Sequence, residues 1–410
     1  MRNTDYELRA RDILVGCQML FIAFGALVLV PILTGLDPNV ALFTAGAGTL
    51  LFQLVTRGKV PVFLASSFAF IGPILYGIST WGLPSTLCGL IGAGLFYLLL
   101  SALVSWKGVE VLERLLPPIV TGPVIMLIGL MLAPIAVNLS MGKSGDGSAM
   151  LFPASEAAIV SMLSLGITVA VSLWGSPRLK LVPVLLGMCC GCLFGWGFGM
   201  LQLESVRSAP WFRFPSFVTP QWSFEAIVFM VPVSIATAIE HFGDILAIQS
   251  VTGKNYLKNP GVHRTLLGDG LATVLAAFLG GPPNTTYSEV TGGVALTRAF
   301  NPAIMTWASL FAILLAFCGK LGALLQAIPT PVVGGILIVL FGAITVVGMN
   351  SLVRAQVDLM LPRNLIIVGI ILVFGIGGMA LSAGNFTLKG VGLAGLLGTA
   401  LNAILPHSKG

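Results

Sequence analysis

Apolar stretches of about twenty residues recur from one end of the chain to the other, each long enough to cross a bilayer core of about 30 Å. That feature removes most of the possible folds. Backbone polar groups inside lipid need internal partners, so such stretches must be helical, with irregular backbone only where protein or a watery cavity covers it. Composition agrees: 56% of the 410 residues are hydrophobic, 9% are charged and the mean hydropathy is +1.00, too little charge to cover a water-soluble domain of this length. The 50 glycines suit close helix packing in lipid. No stretch is polar enough for an appended soluble domain to be expected. The charged segment Met1 to Asp12 runs straight into the first apolar stretch without a signal-peptide layout, so that span is expected to be retained.

Hydropathy and the Gly, Pro and charge punctuation predict about fourteen spans. The first seven lie near 12–34, 39–56, 67–79, 84–105, 116–138, 156–173 and 182–200. The second seven lie near 223–248, 263–280, 287–299, 302–318, 331–348, 363–380 and 388–405. With both termini inside, 16 of the 21 Lys and Arg fall on the cytoplasmic side and 5 outside, as the positive-inside bias requires. The net charge of +6 is scattered one to three residues per loop and forms no nucleic-acid patch. Cys17, Cys88, Cys189, Cys190, Cys192 and Cys318 fall in apolar stretches without zinc-site spacing, and read as small buried helix residues with no disulfide expected.

The two halves resemble each other. Phe24-Gly25 in the first span matches Phe242-Gly243 in the eighth, and Ser66-Ser67-Phe68 at the third matches Thr285-Thr286-Tyr287 at the tenth. Gly25 and Phe68 are 43 apart, and Gly243 and Tyr287 are 44 apart. Pro118 and Gly129 in the fifth span, like Pro331 and Gly342 in the twelfth, are 11 apart, with Gly122 and Gly335 at matching places between them. An odd number of spans per copy makes the repeats inverted, an architecture of secondary transporters. Pro61 and Pro282-Pro283 disfavour helix just before the third and tenth spans. Short extended stretches are expected there, with the Ser and Thr pairs available to cap the half-helices that follow. Two matching interruptions point to one binding site between the repeats.

Apart from Asp12, Glu156 and Glu225 at the span entrances, four acidic residues fall inside predicted spans: Glu240, Asp244, Asp269 and Glu289. A charge at mid-bilayer costs about 2.5–3.5 kcal/mol even on the lenient insertion scale, so each should face the protein interior. Glu240 and Asp244 are four apart and share a helix face, whereas His241 points about 100° away and reads as structural. Asp269, between Gly268 and Gly270, reads as a structural hydrogen-bonding group, and Asp244 as either a proton site or a structural partner. Glu289 falls in the first turn of the tenth span, and convergence of the eighth and tenth spans would bring Glu240 and Glu289 to one cavity. Carboxylates accept hydrogen bonds while half-helix amides donate them. An anion is disfavoured there and a metal cation is possible. A small ring alternating N–H and C=O matches better, with Phe68, Tyr287 and Phe341 available either for stacking or as plain packing.

Gly281-Pro-Pro-Asn-Thr-Thr-Tyr-Ser-Glu289, Ala238-Ile-Glu-His-Phe-Gly-Asp244, Ala65-Ser-Ser-Phe-Ala-Phe70 and Phe24-Gly-Ala-Leu-Val-Leu-Val-Pro31 together resemble the nucleobase–ascorbate transporter family, within it the bacterial uracil and pyrimidine permeases. The resemblance implies an all-α, fourteen-span membrane fold. It also implies a core domain (1–105 and 223–318), a gate domain (106–200 and 319–410), homodimers through the gate domain, and nucleobase import by proton symport across the bacterial cytoplasmic membrane. Glu240 and Glu289 would bind the ring N–H groups, the amides of Phe68 and Ser288 would donate to its carbonyls, and Ala26 and Tyr287 would line the pocket. Protons would be the coupling ion, without another cofactor or a metal, and Glu240, Asp244, Asp269 and His241 are the candidates for coupling. Asp244 stands where a uracil permease can have histidine, and Phe341 where a tyrosine can occur, which leaves thymine or xanthine open as substrates. An anion carrier of the sulfate/bicarbonate type, sharing the architecture, is opposed by Glu240 and Glu289. A channel would need a repeated filter, and an enzyme a nucleophile–base or metal motif.

Overall fold

A computed structural model describes residues 5–110, 117–383 and 386–406. Arg2, Arg114 and Lys409, part of the charge bias above, lie outside the described residues.

The first repeat runs α1 (Ile13–Thr34), α2 (Pro38–Val55), β1 (Leu64–Ser66), α3 (Ile71–Trp81), α4 (Leu83–Lys107), α5 (Pro118–Ser140), α6 (Ala154–Trp174) and α7 (Pro183–Gly197). A short helix, α8 (Glu204–Ser208), lies in the connection. The second repeat runs α9 (Phe224–Met230), α10 (Val233–Thr252), α11 (Val262–Phe278), β2 (Asn284–Thr286), α12 (Ser288–Thr297), α13 (Ala303–Ala316), α14 (Gly319–Gln326), α15 (Thr330–Arg354), α16 (Pro362–Ile376), β3 (Ala380–Ala383), β4 (Phe386–Lys389) and α17 (Gly390–Ile404). Every expected span is matched by a helix or half-helix. α1, α2, α4, α5, α6 and α15 are each long and apolar enough to cross a membrane alone. The eighth span is a bent pair: α9 and α10 meet at 42° around Pro232, which brings no N–H to the helix ladder.

Local chemistry sets the helix ends. Asp37 accepts the Asn39 N–H at 2.8 Å while Pro38 occupies the first turn of α2, a start that suits proline's fixed φ and missing donor. Two expectations differ from the structure. The thirteenth span ends at Ile376, and the chain beyond it forms the antiparallel pair β3–β4, which the sequence did not reveal. Of the cysteines, only Cys88 is buried; Cys189 is exposed on α7, and Cys318 sits at the N-cap of α14, between spans. Small size made burial plausible, but an apolar helix in lipid keeps one face outward whatever its residues.

Packing follows the repeat. α5 lies along α15; α4 packs on α11 as α13 packs on α2; α1 packs on α13 as α9 packs on α4. In the other group α6 packs on α15 as α16 packs on α5. Glycine permits close approach: a Cβ on Gly94 would lie 2.9 Å from the Gly270 carbonyl oxygen, and one on Gly270 would lie 2.9 Å from that of Gly94.

Matching straps cover the two ends of the α1–α4 and α9–α13 group. At one end Tyr6 covers Gly58, Asn301 exchanges hydrogen bonds with the backbone of Glu7, and the Trp307 indole donates to the Arg9 carbonyl at 3.2 Å. At the other end Val218 covers Gly280 and Gln221 N–H donates to the Pro84 carbonyl at 2.9 Å. Gly58 (φ +61°) and Gly280 (φ +86°) hold equivalent turns leading into the two strands, a left-handed backbone that favours glycine.

Candidate functional site

The two extended stretches meet. β1 and β2 pair antiparallel, Leu64 opposite Thr286, Ala65 opposite Thr285 and Ser66 opposite Asn284. The ladder continues outward as Tyr287 N–H donates to the Phe63 carbonyl at 3.2 Å and Ser67 N–H to that of Pro283 at 2.9 Å. Both strands are wholly buried, which is how non-helical backbone survives at membrane depth. Each strand leads into a half-helix: Phe68–Phe70 with α3, and α12. The first N–H groups of each have no partner within the helix and face the crossing as donors.

The carboxylates gather beside these starts. Asp244 accepts the Thr286 hydroxyl at 2.7 Å and, in a close hydrogen bond, that of Ser288. Glu240, one turn before it on the same face, is half-buried and within electrostatic reach of Asp244, Glu289 and Asp269. Glu289, in the first turn of α12, is exposed beside the buried Val290, so it borders a cleft open to solvent. Ser288 is likewise open and Phe68 half-buried. The Phe68 ring meets Phe341 of α15 edge-on, centroids 6.3 Å apart at 84°. Ala26 is buried in α1 and Phe341 in α15.

Other expected residues meet protein partners. Tyr287 is buried and its hydroxyl donates to the Ser66 carbonyl at 2.8 Å, so it joins the two strands. His241 points away from Glu240, and its Nδ1 lies 3.2 Å from Asp269 Oδ2, both side chains at 0% exposure. The Ser and Thr pairs do not cap the half-helices. Ser67, at the start of the first, makes no capping bond, the second starts at Tyr287, and Thr286 donates instead to Asp244. A buried carboxylate is the stronger acceptor and takes the hydroxyl. Among the described residues no three His, Cys, Asp or Glu side chains converge as a metal site.

Sequence reading missed the supports behind the strands. Thr49 accepts the Leu64 N–H at 2.8 Å, Thr273 donates to the Asn284 carbonyl at 2.9 Å, and Asn284 donates to that of Thr44 at 2.9 Å. The available signal was polar residues inside otherwise apolar spans.

The sequence matches the permease family over residues 10–384. It is 52% identical over 405 residues to a protein named "Probable uracil permease" from Haemophilus influenzae, covering 99% of this chain and 97% of that one. This chain belongs to the nucleobase:cation symporter-2 permease family. The permease is also 41% identical to the "Uracil permease" of Bacillus caldolyticus, covering 96% and 92% of the two chains, and 36% identical to that of Escherichia coli K12, covering 95% and 90%. Its fold is that of inverted seven-span repeats. The transmembrane domain of a cyanobacterium bicarbonate transporter, BicA, superposes with a TM-score of 0.66 at 14% identity, covering 98% of this chain and all of that one. Murine Solute Carrier 26 family member A9 superposes with 0.71 at 12% identity, covering 97% and 69%. The permease is therefore a multi-pass membrane transporter and not an enzyme.

Proposed function

We propose that the permease carries uracil, or a nucleobase presenting the same edge, across the bacterial cytoplasmic membrane together with protons. The observation that carries the reading is the gathering of Glu240 and Glu289 beside the half-helix that starts at Ser288. Acceptors and donors then stand side by side, and an imide ring offers both in alternation. Glu240 and Glu289 would take the ring N–H groups, the Phe68 and Ser288 amides would donate to the carbonyls, and Phe68 with Phe341 would flank the ring plane. Ala26 and Tyr287 would close the pocket from α1 and the strand end. The names of the relatives support uracil over an anion, which two carboxylates would repel.

In the proposed cycle, a proton on Glu240 or Asp244 lowers the charge of the loaded site before it passes lipid. His241 and Asp269, paired behind the cleft, would hold α10 against α11 and define the background field. The grouping of helix contacts supports a division into α1–α4 with α9–α13 and α5–α7 with α15–α17; the first group would be a core moving against the second as a gate, with homodimers through the gate. The lysine and arginine bias supports cytoplasmic termini.

Uptake of labelled uracil into proteoliposomes under an imposed pH gradient tests the whole reading. Accumulation should follow the gradient and collapse with a protonophore; uracil-independent anion exchange would overturn it. Glu289→Gln should lose uracil binding by at least about tenfold, about the value of one charge-assisted hydrogen bond. Glu240→Gln should retain downhill exchange and lose accumulation.

A further inference from the structure

A two-stranded ribbon leaves every second residue with its N–H and C=O pointing outward, with no strand to receive them. Here the ladder pairs are Phe63 with Tyr287 and Ser67 with Pro283. In that alternation Leu64 and Asn284 turn their backbone groups outward. At membrane depth no water is available to satisfy them, and three residues per strand are too few to hold a hairpin-like pair alone.

The missing partners come from the two helices behind the crossing. Thr49 of α2 takes both Leu64 groups, accepting the N–H at 2.8 Å and donating to the carbonyl at 3.3 Å. Thr273 of α11 donates to the Asn284 carbonyl at 2.9 Å. Both threonines are buried. α2 and α11 are the second spans of the two repeats, and a Cβ on Gly48 would lie 3.1 Å from Ala272 Cβ, so the threonines follow a pair of residues in mutual contact. Neither hydroxyl faces the cleft. Each fixes the strand whose end delivers the first N–H groups of a half-helix.

We infer that Thr49 and Thr273 are positioning residues for substrate recognition, one for each half-helix, acting through β1 and β2 without touching the substrate. The inference rests on the uracil reading of the cleft. It locates part of the permease's affinity in two side chains on helices that contribute no ligand contact.

The test uses full-length permease in detergent and in proteoliposomes. Thr49→Val keeps the shape and removes the hydroxyl; Thr49→Ser keeps the hydroxyl; the same pair is made at Thr273. Amide exchange should quicken in peptides containing Leu64 for Thr49→Val, and in those containing Asn284 for Thr273→Val. Uracil affinity should fall about tenfold in each valine variant. KM for uptake should rise by a similar factor with the saturating rate retained, and serine should restore both readouts. Should a valine variant aggregate, alanine at the same position carries the test. Wild-type affinity in the valine variants, or faster exchange with unchanged affinity, would overturn the inference. A wild-type protein that binds no uracil would sink the substrate reading instead, and the exchange measurements would still decide whether the hydroxyls hold the strands.

Discussion

Asp244 joins two spans through one carboxylate: Oδ2 accepts the Thr286 hydroxyl at 2.7 Å and Oδ1 accepts that of Ser288. The eighth span thereby grips the last residue of β2 and the first of α12, on either side of Tyr287. A group that adds or loses a proton here changes how many hydroxyls it can hold.

Asp244→Ala is expected to release both hydroxyls and reduce uracil transport by at least about tenfold, since each hydrogen bond to a charged group contributes about 1.5–3 kcal/mol. Asp244→Asn keeps a single carbonyl acceptor and should fall between. Uptake rates in proteoliposomes at matched protein density check the order.

The His241–Asp269 pair has no exposed atom on either side chain. Removing one member leaves the other buried polar group without a partner and costs about 1–3 kcal/mol, whereas replacing both by apolar residues is often neutral. His241→Leu should therefore lower the unfolding midpoint in detergent, and adding Asp269→Leu should recover much of the loss. A double variant less stable than the single one would contradict the pairing.

Gly94 and Gly270 let α4 and α11 touch backbone to backbone. Gly94→Val is expected to destabilise by about 1–3 kcal/mol through overpacking, read as a lower midpoint. Gly342, with open space at its Cβ position, should accept alanine with little change.

Outside the membrane, hydrogen bonds from Ser144 and Ser148 lower the exposed Asp146 carboxyl from an ordinary value of 3.8 to about 2. A depressed folded value means the turn's stabilisation is complete above the ordinary value and lost as pH falls through about 2. Amide exchange at Ser148 and Ala149 should accelerate over that acid range, and Asp146→Asn should remove the dependence.

Some of this was written in one dimension. Hydropathy periods marked the spans because a bilayer has a fixed thickness, and Pro61 and Pro282-Pro283 marked the extended stretches because proline forbids helix locally. Glu240, Asp244, Asp269 and Glu289 were conspicuous because an intramembrane carboxylate is costly wherever it lies. The angle between His241 and Glu240 followed from helix geometry alone, and the structure puts Asp269 where His241 points.

The sequence by itself thus determined which segments enter lipid, where two of them break, and which charges require shelter. Tertiary structure alone decided what each polar group meets: Thr286 bonded to Asp244 instead of capping a helix, Tyr287 joined to Ser66, Thr49 and Thr273 behind the strands, and cysteines outside the core. The reason is that membrane entry depends on properties summed along a local stretch, whereas a hydrogen bond depends on which distant residue arrives within about 3 Å. That distance is set by how the two repeats pack.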